Sequence, residues 1–102
     1  MELTGKQKRH LRAIAHDLSP VAQVGREGLT DAVGRKVDVE LENHELIKVK
    51  AGDGCLEDTK DVAAGLASMC GAAVAQVIGR TIVLYRRRKK DPRIVLPKAT
   101  AA

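Results

Sequence analysis

The sequence predicts an α/β fold, a two-layer sandwich in which three helices pack on a four-stranded mixed sheet in the chain order α-β-α-β-α-β-β. Three segments repeat apolar residues at helical spacing, and short runs rich in β-branched residues alternate with them. The last two runs are joined by a two-residue loop that favours a hairpin. Since 102 residues support a single core, we predict one domain over residues 1–97 and a frayed tail over residues 98–102.

The first helix is predicted over residues 4–16, because Thr4 and Gln7 have the spacing of a capping box. Its apolar face consists of Leu11, Ile14, Ala15 and Leu18, and its opposite half carries Lys6, Lys8, Arg9 and Arg12. Ser19-Pro20 ends this helix, since the residue before a proline avoids the helical conformation. A short first strand then follows at residues 21–24.

The second helix is predicted from Thr30 to about Asn43, because Thr30 is a suitable N-cap residue and Asp31 favours the first turn. Residues 45–51 have the alternation of a half-exposed strand. On one side of this strand lie Leu46, Lys48 and Lys50, and on the other Ile47 and Val49. The third helix is predicted over residues 56–69, with Gly71 just past its end.

Two β-branched runs, residues 73–78 and 81–86, are separated by Gly79-Arg80. Glycine at the first position of a two-residue loop favours a type II′ turn, so we predict an antiparallel hairpin. This hairpin adds one antiparallel strand to strands that the β-α-β crossovers make parallel. Residues 94–97 are expected to add a short docked segment.

Charge is concentrated at the two ends of the chain. The net charge is +5, with eight basic residues and one acidic residue over 80–98, and four basic residues and one acidic residue over 1–12. Residues 27–61 hold ten acidic and five basic residues. If the two termini meet in space, the domain has one positive face that attracts a polyanion. The alternative on charge alone is a basic surface that only keeps the protein in solution.

Known enzyme and metal motifs are not matched. Cys55 and Cys70 form no Cys-x-x-Cys pair, and His44-Glu45 is followed by Lys48 where a zinc-protease motif needs a second histidine. Residues 52–57 begin like a dinucleotide-binding loop, but Glu57 replaces the third glycine and would repel a pyrophosphate. We therefore predict no catalytic residue, no metal and no cofactor.

The bend Gly25-Arg26-Glu27-Gly28 joins the first strand to the second helix. Unpaired backbone N–H groups and the positive end of the helix dipole favour an anion there. Glycines let a phosphate approach the main chain closely, and Arg26 can add a charged hydrogen bond. A tight turn that simply needs a positive φ explains the glycines equally well at this point.

Aromatic residues are too scarce for base stacking. Tyr85 is the only one, and we assign it to the core or the sheet surface. Any nucleic-acid binding must then rest on phosphates and shape.

Three separated segments resemble a known family: "LTGKQKRHLRAIAHDLSPVAQVGREGLTDAV", "HELIKVK" and "QVIGRTIVLYR". Together they are similar to the CRM domain (chloroplast RNA splicing and ribosome maturation), in particular to its small bacterial stand-alone members of the YhbY type. The resemblance covers residues 3–97.

The resemblance implies a fold similar to the C-terminal domain of translation initiation factor three, with strand order 1-2-4-3. It also implies RNA binding, with precursor rRNA of the large ribosomal subunit as the partner and ribosome assembly as the role. The RNA-binding residues that we predict are Gly25, Arg26, Glu27, Gly28, Lys6, Lys8, Arg9, Arg12, Arg80, Arg86, Arg87, Arg88, Lys89 and Lys90.

Two other functions stay open. The basic ends could dock on an acidic protein partner, or residues 52–57 could mark a small nucleotide-using enzyme. No apolar run approaches the roughly 18 residues of a membrane span. We therefore expect no membrane association, a cytoplasmic location and a monomer.

Overall fold

The computed structural model describes residues 2–98, and its elements follow the predicted order. They are α1 (Gly5–Ala15), β1 (Pro20–Val24), α2 (Asp31–His44), β2 (Leu46–Ala51), α3 (Thr59–Cys70), β3 (Ala73–Ile78) and β4 (Thr81–Tyr85). The α/β fold with three helices and four strands is confirmed. Of the predicted tail, residues 99–102 lie outside the described residues.

The four strands form one mixed sheet in the order β1-β2-β4-β3. Strand β1 runs parallel to β2, and β4 lies between β2 and β3 and is antiparallel to both. The strand order that the family resemblance implied is therefore observed. Gly79 begins the hairpin turn with φ +57°, and Arg80 is not at positive φ, as a type II′ turn requires.

Both faces of the sheet carry a core, because alternate residues of a strand point to opposite sides. Helices α2 and α3 pack on the face that presents Ile47, Val49, Ile82 and Leu84, so these two helices and the sheet form two layers. Helix α1 packs on the other face, against Leu46, Ala75, Val83 and Tyr85. Ile94 and Leu96 of the C-terminal segment join α1 there, which confirms the expected docking and adds partial cover to the second face.

Side-chain caps explain where the helices begin. Thr4 Oγ1 accepts the Gln7 N–H at 3.1 Å, and Gln7 Oε1 accepts the Thr4 N–H at 3.0 Å, so the predicted capping box is present. Thr30 caps α2 by a single bond, in which its hydroxyl accepts the Val33 N–H. Helix α3 begins later than predicted, because Asp58 is its N-cap residue. The prediction of helix from residue 56 is wrong, since α3 begins at Thr59 and Leu56 lies in the preceding loop.

The chain after β4 is held by one buried carboxylate. Strand β4 ends at Tyr85, one residue earlier than predicted, and the Arg86 N–H donates to the Glu45 carbonyl at 2.9 Å. Glu45 is 1% exposed, and its carboxylate accepts backbone N–H groups of Arg88, Arg93 and Ile94. This anchor brings the C-terminal segment beside α1, where Gln7 Nε2 donates to the Pro97 carbonyl at 2.9 Å. The N-terminal helix and the described C-terminal segment therefore meet.

Candidate nucleic-acid interface

Residues 25–28, here called the glycine loop, connect the end of β1 to the N-terminus of α2. The Gly28 N–H donates to the Gly25 carbonyl at 3.0 Å, which closes the turn. Arg26 and Glu27 at its tip are exposed. Within residues 2–98, the backbone N–H groups of Arg26 and Glu27 make no hydrogen bond, so both remain available to an external acceptor.

The two glycines of this loop meet different requirements. Gly28 has φ +70°, and a Cβ at this position would collide with the carboxylate of Glu57. Gly25 has no positive φ, and a Cβ there would meet nothing within 4 Å. The fold therefore favours glycine at position 28, by its positive φ and the nearby carboxylate, but not at position 25. Positive φ alone, the alternative explanation from the sequence, accounts for only one of the two.

One intramolecular anion already lies at this helix N-terminus. Glu57 Oε1 accepts the Leu29 N–H at 3.1 Å. The first turn of α2 is further satisfied by Thr30, whose hydroxyl accepts the Val33 N–H at 3.2 Å. The part of the glycine loop that is available to an external phosphate is therefore its outer part, at Gly25, Arg26 and Glu27.

Two further connections lie at the same end of the sheet. The loop at residues 52–58 is tied to β1 by the Gly52 N–H, which donates to the Val24 carbonyl at 2.8 Å. The hairpin turn holds this loop through the guanidinium of Arg80. That group donates to the carbonyls of Ala51 at 3.1 Å, Gly52 at 2.8 Å and Cys55 at 3.0 Å. Arg80 thus stabilises the site through three carbonyls, and its contact with RNA stays a prediction.

The cations of α1 lie on its outer side. Lys6, Lys8, Arg9 and Arg12 are all exposed. Arg9 and Arg12 border a groove of about 790 Å³ between α1 and strands β2, β4 and β3. The structure therefore places part of the cationic helix beside an uncovered part of the sheet.

The basic run at residues 86–90 lies at the opposite end of the sheet from the glycine loop. Tyr85 pairs with Leu46 at the start of β2, whereas Val24 pairs with Ala51 at its end. Arg87, Lys89 and Lys90 are exposed. The structure does not bring these side chains together with the glycine loop.

Two arginines of the run bind the acidic helix α2. Arg86 is paired with the carboxylates of Asp38 and Glu42 and donates to the Cys70 carbonyl at 2.8 Å. Arg88 donates to the Asn43 carbonyl at 2.8 Å and to the Asp91 carbonyl at 2.9 Å. Their side chains are only 19% and 16% exposed. The guanidinium groups of Arg86 and Arg88 are therefore largely occupied by contacts within the protein.

Burial raises two pKa values near this end of the sheet. The pKa of Cys70 lies above 9.0, because the thiol is desolvated and Asp38 adds a like charge, which Arg86 partly offsets. The pKa of Tyr85 lies above 10.0 because of burial and the Glu45 carboxylate, which Arg87 partly offsets. Tyr85 is 2% exposed, as expected for a core residue, and cannot stack on a base.

Sequence reasoning missed three polar residues of the sheet as site candidates. Lys48, Lys50 and Gln76 lie on the α1 side, beyond the part of the sheet that α1 covers. The sequence pattern that could have identified the two lysines is the alternation of β2, which places both of them on one side of the strand. It was not used because the side of the sheet that α1 covers was unknown.

The other candidate sites do not form a ligand-binding arrangement. Cys55 and Cys70 are buried and unpaired. In the part of the chain that the structure describes, three or more His, Cys, Asp or Glu side chains never gather where they could hold a metal ion. No helix within residues 2–98 is long and apolar enough to cross a membrane.

Known proteins share this sequence and this fold. The family model of the CRS1 / YhbY (CRM) domain matches residues 3–86. "Probable RNA-binding protein YqeI" of Bacillus subtilis (strain 168) is 46% identical over 95 residues, which cover 93% of this chain and 99% of the relative. An "RNA-binding protein" of Haemophilus influenzae is 38% identical over 96 residues, which cover 94% of this chain and 96% of the relative.

The fold is similar to the solution structure of the Staphylococcus aureus protein SAV1595. The TM-score is 0.81 at 42% sequence identity, over 94% of this chain and 100% of the other. These matches extend over nearly all of the described residues and confirm the resemblance seen in the three sequence segments. The chain therefore belongs to the CRS1 / YhbY (CRM) domain family.

Proposed function

We propose that this protein binds RNA, associates with precursors of the large ribosomal subunit and assists their assembly. The observation that carries the proposal is the open space at Gly25, beside two unpaired backbone N–H groups, in a chain of the CRM family. A glycine that the fold does not require is explained if a ligand approaches its backbone closely. The names of the relatives support RNA as that ligand.

In the proposed complex, a phosphate of the RNA lies against the glycine loop. The N–H groups of Arg26 and Glu27 donate to its oxygens, and the Arg26 guanidinium adds a charge-assisted hydrogen bond. The N-terminus of α2 contributes a favourable dipole. Because Glu57 already binds the Leu29 N–H, we place the phosphate at the tip of the loop rather than over the helix axis.

Electrostatic attraction comes from α1 and from the exposed members of the basic run. Lys6, Lys8, Arg9 and Arg12 attract RNA on the α1 side, and Arg87, Lys89 and Lys90 do so at the far end of the sheet. Arg80, Arg86 and Arg88 contribute mainly by holding the loops and the C-terminal segment. The mechanism is to hold a folded rRNA element during assembly, without catalysis or cofactor, by a cytoplasmic monomer.

A sedimentation experiment tests this proposal. The tagged wild-type chain should co-sediment with precursors of the large subunit in sucrose gradients of cell lysates, at low but not at high salt. Gly25→Asp should shift the protein to the top of the gradient while its thermal unfolding stays like that of wild type. If wild type stays at the top at low salt, the assembly role is wrong. If Gly25→Asp co-sediments like wild type, the glycine loop is not the contact.

A further inference from the structure

We propose that the groove between α1 and the uncovered part of the sheet binds the ribose-phosphate backbone of an RNA strand that continues from the glycine loop. This sheet groove is lined by Arg9 and Arg12 of α1, Lys48 of β2, Gln76 of β3 and Thr81 of β4, and Lys50 of β2 lies beside it, paired with Thr81. The inference rests on the proposed function and adds a second contact surface to it.

Charge is the first argument for an RNA occupant. None of the described residues that line the groove is acidic, although the chain carries 13 acidic residues. Arg9, Arg12 and Lys48 line it, and Lys50 extends from the same side of β2. The groove thus combines cationic side chains with the absence of acidic ones among its described lining residues, which is complementary to a phosphate backbone.

The positions of these residues along the strands connect the groove to the glycine loop. Lys50 pairs with Gln23 of β1 on one side and with Thr81 of β4 on the other. Gln23 lies two residues before Gly25, a distance of about 7 Å along an extended strand. A strand of RNA leaving the loop therefore reaches Lys50 and Thr81 first and then Lys48 and Gln76.

The neutral side chains of the groove fit a ribose-phosphate chain better than a base. Gln76 and Thr81 offer donors and acceptors to phosphate oxygens and to the 2′-hydroxyl, which distinguishes RNA from DNA. Ile78, which is 60% exposed, offers an apolar contact to the sugar. No Phe, Tyr or Trp ring lines this groove, since Tyr85 is the only such residue of the chain and lies in the core.

Salt dependence of binding is the test, because it counts phosphate contacts. Fluorescence anisotropy with labelled short fragments of purified large-subunit rRNA gives the slope of log affinity against log salt concentration. For a single strand, each lost phosphate contact reduces this slope by about 0.7. Lys48→Gln with Lys50→Gln should therefore make the slope shallower by about 1.4.

Matched controls separate the groove from general charge. Lys36→Gln with Lys60→Gln removes the same charge from α2 and α3, on the other face of the sheet, and should leave the slope unchanged. Lys48 donates to the His16 carbonyl at 3.4 Å, so its replacement can disturb packing. Lys50→Gln alone avoids this, because Lys50 is exposed, and it should reduce the slope by about 0.7.

Each result decides between the two proposals. If the groove variant and the control variant change the slope equally, the groove is not a contact surface. If Gly25→Asp weakens binding but both groove variants behave like wild type, the groove proposal falls and the proposed function stands. If wild type does not bind these rRNA fragments at low salt, both fall.

Discussion

Gly25 and Gly28 should respond in opposite ways to substitution, although they close the same turn. At Gly28, alanine must adopt φ +70° and displace the Glu57 carboxylate. The left-handed backbone costs about 1–2 kcal/mol. Loss of the hydrogen bond from the Leu29 N–H costs about 0.5–1.5 kcal/mol more. We expect the free energy of unfolding to fall by about 1.5–3.5 kcal/mol, which lowers Tm by at least about 6 °C.

At Gly25 the same substitution has no steric cost, because a Cβ would meet nothing within 4 Å. Gly25→Ala should leave the free energy of unfolding unchanged or raise it by about 0.4–1 kcal/mol, because the unfolded chain loses freedom. Gly25→Asp adds a carboxylate beside the proposed phosphate. Like charges about 4 Å apart repel by about 1–4 kcal/mol at this kind of surface, so RNA affinity should fall at least fivefold, or about 1 kcal/mol.

Thermal unfolding by circular dichroism and anisotropy with large-subunit rRNA fragments measure the two effects separately. Gly71→Ala is a control for the backbone cost alone, since Gly71 has φ +61° and a Cβ there would meet nothing within 4 Å. Gly28→Ala should lower Tm more than Gly71→Ala does. The reasoning is refuted if Gly25→Asp lowers Tm as much as Gly28→Ala, or if it binds rRNA as tightly as wild type.

Three further predictions concern stability. Glu45→Ala removes the acceptor of the backbone N–H groups that hold the C-terminal segment. The free energy of unfolding, measured in urea, should fall by about 2–4 kcal/mol. A fall as small as that for Glu40→Ala would contradict the role of Glu45 as an anchor. Arg80→Gln should lower the free energy of unfolding by about 1–3 kcal/mol, because three carbonyls lose a charged donor. Lys90→Gln is the control, and an equal Tm for the two variants would contradict the stabilising role of Arg80. The pKa of Tyr85 is higher in the folded state than in the unfolded state. The contribution of Tyr85 to the free energy of unfolding should therefore be constant below pH 10.0 and decrease as the pH rises above it. Tyr85→Phe should make this alkaline decline in the urea midpoint smaller, and an unchanged decline would disprove the assignment.

The order of elements could be predicted because each signal is local. The capping box at Thr4 and the N-cap at Thr30 depend on residues within one turn, and both are present. The alternation of β2 predicted which of its residues share a face. The start of α3 was predicted too early although its signal is local as well, because Asp58 is the N-cap residue and its side chain accepts the Lys60 N–H.

The roles of the arginines depend on tertiary contacts and were hidden in the sequence. Arg86 and Arg88 belong to a run of basic residues, a pattern that predicts a nucleic-acid-binding segment. In the structure they bind groups of α2, more than 40 residues earlier in the chain. The glycine loop shows the same limit. Its two glycines look equivalent in the sequence, and only the folded chain distinguishes them, through the positive φ of Gly28 and the Glu57 carboxylate beside it.

The central claim is that the protein holds rRNA of precursor large subunits at the glycine loop. In-cell ultraviolet crosslinking of the tagged protein, with sequencing of the attached RNA, tests it most directly. The account predicts reads concentrated on one element of the large-subunit rRNA, enriched in unprocessed precursor and lost in Gly25→Asp. Reads scattered over many RNAs, or a pattern that Gly25→Asp leaves unchanged, would contradict it.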